Sequence, residues 1–575
     1  MKNIPPFEAS RLVTAKLETE GPPWRQEQVG PAGNHAPDYF DFHATIFQTL
    51  ANTLRSKFLF WMGVMRYASS FMNPFWLAFN NFTDMEMMRL DRPFSLRHAN
   101  DLIDLLLFEI HLASRGTMAS ISALNDYQTK ELREVLSAAG NSLPDSILRY
   151  SERQLKIMDA LYYAYPRAVR DIEPEYGLHL DNGGYTKTAE TERFELYQAL
   201  PTQDGVATRD GGKPMIIIPP YVLGANILAF LPGGNRSYVH AFANHGIPTY
   251  IRVIKDIGKT EAVQSMTGED DALDLRYFSE VVSKRHGKPV TLNGYCQGGF
   301  MAVIDVLSGQ LNGLVDALIT SVAPLDGSRG KSMVDYIEHL PFRFRDLGYA
   351  LKTLPNGKRV VDGRILSWVF KLKSIENEAP FLSFYRDLMM FDQGGAKSPG
   401  LSKVAAAISH WLTYDITDLP IEITRLSFDS WTKPVSKEGT LPVRLFGKPL
   451  NFTHMAQLGI KWLICVAQND DLVDLPTALA PLTFTDAEVA VFPKGHASIA
   501  TSWSSPAAAC SLETVNMEEC GIKPQFRLKS LAAKSRGPIR FHLDLEEVEK
   551  EQKAPPPTSE GGKKLKQSSQ PLSKS

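Results

Sequence analysis

The chain has 575 residues, 43% of them apolar, and a formal charge of −2 from 62 basic and 64 acidic side chains. Such a length exceeds one simple core and implies two or three folded units. Near-neutral charge without a long basic run in the folded part argues against nucleic-acid binding, and the absence of an apolar run of about 18 residues argues against a transmembrane segment.

Taken in chain order, residues 1–40 are rich in Pro, Gly and charge and read as a loose arm, with no charged-then-apolar signal pattern after Met1. Residues 41–175 carry helical periodicity, clearest at 99–112 and 151–161, and an amino-terminal helical domain is expected over 41–190. Within it, Phe58–Met65 and Phe71–Phe79 are dense in aromatic and sulfur side chains. The stretch fits the buried face of a helical domain; the alternative is a face that docks on a polymer granule, a membrane surface or a sister subunit in a homodimer. Strand and helix patterns then alternate, the mark of a parallel α/β sheet. Residues 191–330 hold its first part, with strands at 214–218, 248–254, 288–293 and 315–322. Residues 331–455 have many aromatics and few strand patterns, and read as a cap or lid over the site. Residues 456–535 complete the sheet with strands at 460–466 and 487–492, and 536–575 form a low-complexity tail expected to be disordered.

The chemistry gathers where strands end. Gly294-Tyr-Cys296-Gln-Gly298-Gly299 stands between the strand-like Lys288–Asn293 and the helix-like Phe300–Leu307. That is the setting of a nucleophile elbow, in which glycines flank the reactive residue because the turn has no room for their β-carbons. By itself the motif also reads as a plain turn around a buried cysteine acting as a small hydrophobe. Partners in the expected order strengthen it. The apolar strand 460–466 leads into Gln468-Asn-Asp470-Asp471-Leu-Val473-Asp474, and the strand 487–492 leads into Pro493-Lys-Gly495-His496. Nucleophile, acid and histidine in this order, each just past a strand, describe an α/β-hydrolase fold. Asp470 competes with Asp471 and Asp474, and the valine three residues later favours Asp470. The acidic cluster lacks nearby His or Glu, so no metal is expected.

On this reading His496 takes the proton of Cys296, whose ordinary pKa near 8.5 leaves only a few per cent thiolate at neutral pH. Asp470 holds the imidazole in the right tautomer. The oxyanion of a tetrahedral intermediate needs preorganised N–H donors. The backbone N–H of Gln297 is one candidate, and the other comes from Pro219-Pro220-Tyr221-Val222 after the strand at 214–218. Prolines donate none, which favours Val222. A cysteine nucleophile points to thioester chemistry: exchange onto a thiol keeps the acyl group activated, whereas a serine drops it to the ester level.

These segments resemble the polyhydroxyalkanoate (poly-3-hydroxybutyrate) synthase family, cysteine enzymes of the α/β-hydrolase superfamily. Leu292–Gly299 is similar to its modified lipase box, and Phe194–Pro201, Pro214–Pro220, Ala323–Asp326, Trp411–Pro420 and Leu441–Phe452 are similar to its flanking segments, over about residues 190–500. The chain differs at Tyr221, Phe300, Asp474 and Ala497–Ser504. The resemblance implies a cytoplasmic acyltransferase that moves 3-hydroxyacyl groups from coenzyme A thioesters to hydroxyl acceptors or polymer. Cys296 would be acylated, His496 would activate it and the incoming hydroxyl, and Asp470 would assist. The coenzyme A thioester is the substrate and no cofactor is implied. The alternatives are a cysteine thioesterase or hydrolase on the same scaffold, and a non-catalytic granule-associated scaffold. The four cysteines, at 296, 465, 510 and 520, do not form a disulfide framework, and a required free thiol fits a reducing cytoplasm.

Overall fold

A computed structural model describes residues 37–89, 99–108, 143–331, 350–366, 402–508, 514–516 and 534–543, together with isolated positions between these runs. Its centre is an eight-stranded sheet: β1 Tyr185–Glu190, β2 Phe194–Ala199, β3 Met215–Ile218, β4 Thr249–Ile254, β5 Val290–Tyr295, β6 Val315–Ser321, β7 Lys461–Ala467 and β8 Glu488–Phe492. The spatial order is β1-β2-β4-β3-β5-β6-β7-β8. β2 runs antiparallel to β1 and β4, and every other pairing is parallel. This strand order, with a strand-to-helix elbow after β5, is the α/β-hydrolase fold.

The parallel strands are continuous apolar runs because helices cover both faces. β3 and β5 are buried at every position. β1 and β2 are absent from the sequence expectation, which began the sheet at 214. The reason is visible in β1, an edge strand reading Tyr-Thr-Lys-Thr-Ala-Glu, with only Tyr185 fully buried. Polar side chains blunt an exposed edge and erase the apolar signal. The helix α1, Gly268–His286, is set by local rules. Thr267 and Asp270 form a capping box, acids occupy the first turn and bases the last, and Gly287 ends it at φ 65°. A second helix, α2, Gln297–Leu307, is buried along its whole length.

Before the sheet, helices span Pro37–Arg89 and Leu143–Asp159. In the first, Leu59 and Phe75 are buried while Phe58, Trp61, Met65 and Trp76 are exposed, so the aromatic stretch is only partly a packing face. The chain divides into two compact units, Met1–Phe58 with Lys130–Lys156, and Leu59–Thr129 with Ile157–Ser575. Inside the smaller, Asn52 Nδ2 donates to Ser151 Oγ at 3.3 Å. The larger contains the sheet. The arm at 1–36 and the tail from 544 lie outside the described residues. The expected tail begins later than 536: Pro538–Leu543 is helical, with Ile539 and Phe541 buried. Cys296 and Cys465 are free thiols, whereas Cys510 is disulfide-bonded. Among the described residues no helix is long and apolar enough to cross a membrane.

Of the 331–455 stretch, the described parts include helices Lys403–Tyr414 and Ile421–Thr432 and the hairpin Thr440–Leu445 with Lys448–Asn451. They reach the loop that follows β3. Trp411 Nε1 donates to the Leu223 carbonyl at 2.8 Å, and the Thr417 N–H donates to the Val222 carbonyl at 3.3 Å.

Candidate active site

Cys296 sits between β5 and α2 with φ 51° and ψ −123°, a backbone conformation that a residue with a β-carbon adopts only under strain. Its N–H donates to the Ser321 carbonyl of β6 at 2.8 Å, and its carbonyl accepts from Gly299 at 2.9 Å. The surrounding glycines are there for want of space. A β-carbon on Gly298 would lie 2.2 Å from the Ile218 carbonyl oxygen and 2.4 Å from that of Pro219; one on Gly294 would lie 2.5 Å from the Gly298 carbonyl oxygen. The obstacles are backbone atoms, which do not rotate away. Gly298→Ala is therefore expected to destabilise the protein by about 3 kcal/mol or more, read as a lowered denaturation midpoint; an unchanged midpoint would refute the close approach. The same contact brings the loop after β3 against the elbow.

Asp470 lies in the turn after β7. Its Oδ1 accepts from the N–H groups of Leu472 and Val473, both at 2.9 Å, and its Oδ2 is 2.7 Å from His496 Nδ1. The other two acids are otherwise placed. Asp471 is exposed, and Asp474 caps the short helix Leu475–Ala478 by accepting from the Thr477 N–H at 3.3 Å, and also accepts from Thr477 Oγ1 at 2.6 Å. His496 follows β8 on a loop tied to the acid turn by Asn469 N–H to the Lys494 carbonyl at 2.9 Å. With Nδ1 given to Asp470, Nε2 is the nitrogen left to face the sulfur; Tyr295, the residue before Cys296, bonds to the His496 backbone, and the charge of Cys296 acts on the ring. Burial alone would lower the imidazole pKa; the charge of Asp470, then that of Cys296, outweighs it and raises the value to about 10. The ring is thus a strong base held in one orientation. Cys465, on β7, makes the contrast: burial pushes its thiol up to about 12, as befits a packing residue.

Cys296, Asp470 and His496 are therefore brought together. Gln297 opens α2, where the first N–H groups have no intrahelical acceptor. Val222 is buried in the loop after β3. The Gln297 side chain is also buried, and its Nε2 has no hydrogen-bond partner among the described residues. Sequence reasoning passed over Tyr295, whose Oη donates to the His496 carbonyl at 2.8 Å and so ties the histidine loop to the elbow. Its position beside the nucleophile was the only signal. No group of three or more His, Cys, Asp or Glu placed to hold a metal occurs among the described residues.

Solved structures similar to part of the chain include a carboxylesterase of Nitrososphaera gargenis, at 15% identity over 55% of this chain and 92% of that one with a TM-score of 0.31. Others are carboxylesterase CesB from Bacillus subtilis (10% identity, 59% and 93% covered, TM-score 0.32) and the meta-cleavage product hydrolase from Pseudomonas fluorescens (14% identity, 53% and 88% covered, TM-score 0.27). No protein-family model and no curated protein matches the chain in sequence. Likeness of this size transfers no activity.

Proposed function

We propose that the protein is a cysteine-dependent acyltransferase resembling polyhydroxyalkanoate synthase, transferring 3-hydroxyacyl groups from coenzyme A thioesters to hydroxyl acceptors or growing polymer. The observation that carries the reading is a cysteine at the elbow whose charge acts on an imidazole that Asp470 orients and makes basic. His496 takes the Cys296 proton, and the sulfur attacks the thioester carbonyl. The oxyanion collects in front of the N–H groups of Gln297 and Val222. Collapse breaks the bond to coenzyme A, whose thiolate leaves with the proton from His496, and a thioester on Cys296 remains. An incoming hydroxyl then gives its proton to His496 and attacks the acyl group, forming the ester and releasing the cysteine. The first exchange trades thioester for thioester and is nearly thermoneutral, so the activation is kept for the second.

Incubation with 3-hydroxybutyryl-coenzyme A tests this. Expected are release of free coenzyme A, an acyl adduct on Cys296 by mass spectrometry, and ester or polymer as product. Release with free 3-hydroxy acid alone would make the protein a thioesterase instead. Absence of both coenzyme A release and an acyl adduct would overturn the proposal.

A further inference from the structure

Arg252 is the anomaly of the sheet, a guanidinium only 2% exposed in the middle of the apolar β4. A buried charge requires a partner and hydrogen bonds to offset its desolvation. Arg252 stacks over the Phe194 ring at 4.3 Å, and its Nη1 is 2.9 Å from Asp271 Oδ1. Its Nη2 donates to Tyr221 Oη at 3.1 Å and to Asp271 Oδ2 at 3.4 Å. Tyr221 Oη in turn donates to Asp271 Oδ1. A second carboxyl, Asp305, is fully buried on α2. Neither of its oxygens has a hydrogen-bond partner among the described residues. A carboxyl buried without a donor is held neutral rather than charged. Burial, then the charge of Asp271, holds Asp305 well above the usual carboxylate range, in agreement with that isolation. The cluster therefore balances one guanidinium against one carboxylate, with the Tyr221 phenol bonded to both.

What the cluster joins matters more than its charge count. Tyr221 belongs to the loop after β3, next to Val222 and behind two prolines. Asp271 lies on α1, Arg252 on β4, and Asp305 on the helix that Cys296 begins. We infer that the Arg252–Asp271 pair, acting through the Tyr221 hydroxyl, positions the oxyanion-binding loop relative to β4 and α1. The three are positioning residues that touch no reacting atom, and the inference rests on the acyl-transfer reading above.

Tyr221→Phe in the full chain tests it by comparing two reactions of the same sulfur. Acylation by 3-hydroxybutyryl-coenzyme A develops an oxyanion; alkylation by iodoacetamide needs only the thiolate. The expected result is acylation slowed about 10- to 100-fold, less than the loss of an oxyanion donor outright, through kcat with KM little changed, while alkylation stays within about twofold of the native rate. Unchanged acylation would overturn the positioning role. Acylation and alkylation falling in parallel would overturn it too, by showing a displaced elbow. Asp305, buried on α2 and outside these bonds, supplies an independent check. Asp305→Asn should leave both acylation and alkylation within about twofold of the native rates; slowed acylation with unchanged alkylation would move the positioning role to that carboxyl and overturn the inference. Native protein that is alkylated but never acylated would overturn the acyl-transfer reading itself, a result distinct from native acylation with an unaffected Tyr221→Phe.

Discussion

Cys296→Gly is expected to be inactive and yet more stable than Cys296→Ala. Both substitutions remove the sulfur, so both should lose turnover of an acyl-coenzyme A by about 10⁴-fold or more, the scale of deleting a nucleophile that works as part of a unit. They differ in backbone. At φ 51° and ψ −123° alanine keeps the strain that its β-carbon creates, while glycine has none. Strain of this kind costs about 1–3 kcal/mol, against roughly 0.5–1 kcal/mol for the greater chain entropy that glycine loses on folding. The difference favours glycine by about 1 kcal/mol, in the same direction as the ordinary preference for glycine over alanine at a helix N-cap. Denaturation midpoints of the two variants, with coenzyme A release as the activity readout, decide it. An alanine variant more stable than the glycine one would mean the elbow is relaxed; residual turnover in either would mean another group carries the acyl transfer.

The elbow was legible because its demands are local. A tight strand-to-helix turn requires small residues at fixed offsets, and Gly294, Gly298 and Gly299 each face backbone or side-chain atoms within 3 Å of a notional β-carbon. The acid was legible from its place just past a strand; its carboxylate accepts from the N–H groups of Leu472 and Val473, which any residues there would donate equally, so these bonds give the valine spacing no side-chain reason. The sheet was legible where strands are buried on both faces and blurred where they are not. β3 to β8 fall within a residue or two of the expected spans, while β1 left no apolar trace. The Arg252 cluster was beyond sequence reading, since it joins residues 221, 252 and 271 from three elements. Its single sign was a charge inside Tyr250–Ile254. The placing of residues 332–349 and 367–401 within a lid lies almost wholly outside the described residues.

Asp470→Asn is expected to lower turnover by about 10³- to 10⁴-fold, because an amide opposite Nδ1 no longer enforces the tautomer that presents Nε2 to the sulfur. Asp471→Asn, altering an exposed side chain one residue away, should stay within about twofold of the native rate. Reversal of that order would reassign the acid. A second readout separates orientation from basicity. His496 titrates at about 10 in the folded chain against an ordinary 6.5, so its charged form stabilises the fold fully below pH 6.5, and that contribution fades as the pH rises towards 10. Without the Asp470 charge, burial regains influence and the imidazole pKa falls. The stability gap between the native protein and Asp470→Asn should therefore be widest below pH 6.5 and narrow steadily towards pH 10. A gap that is flat with pH would show that Asp470 acts on His496 by hydrogen-bond geometry alone, and that the carboxylate charge contributes nothing to the imidazole's basicity.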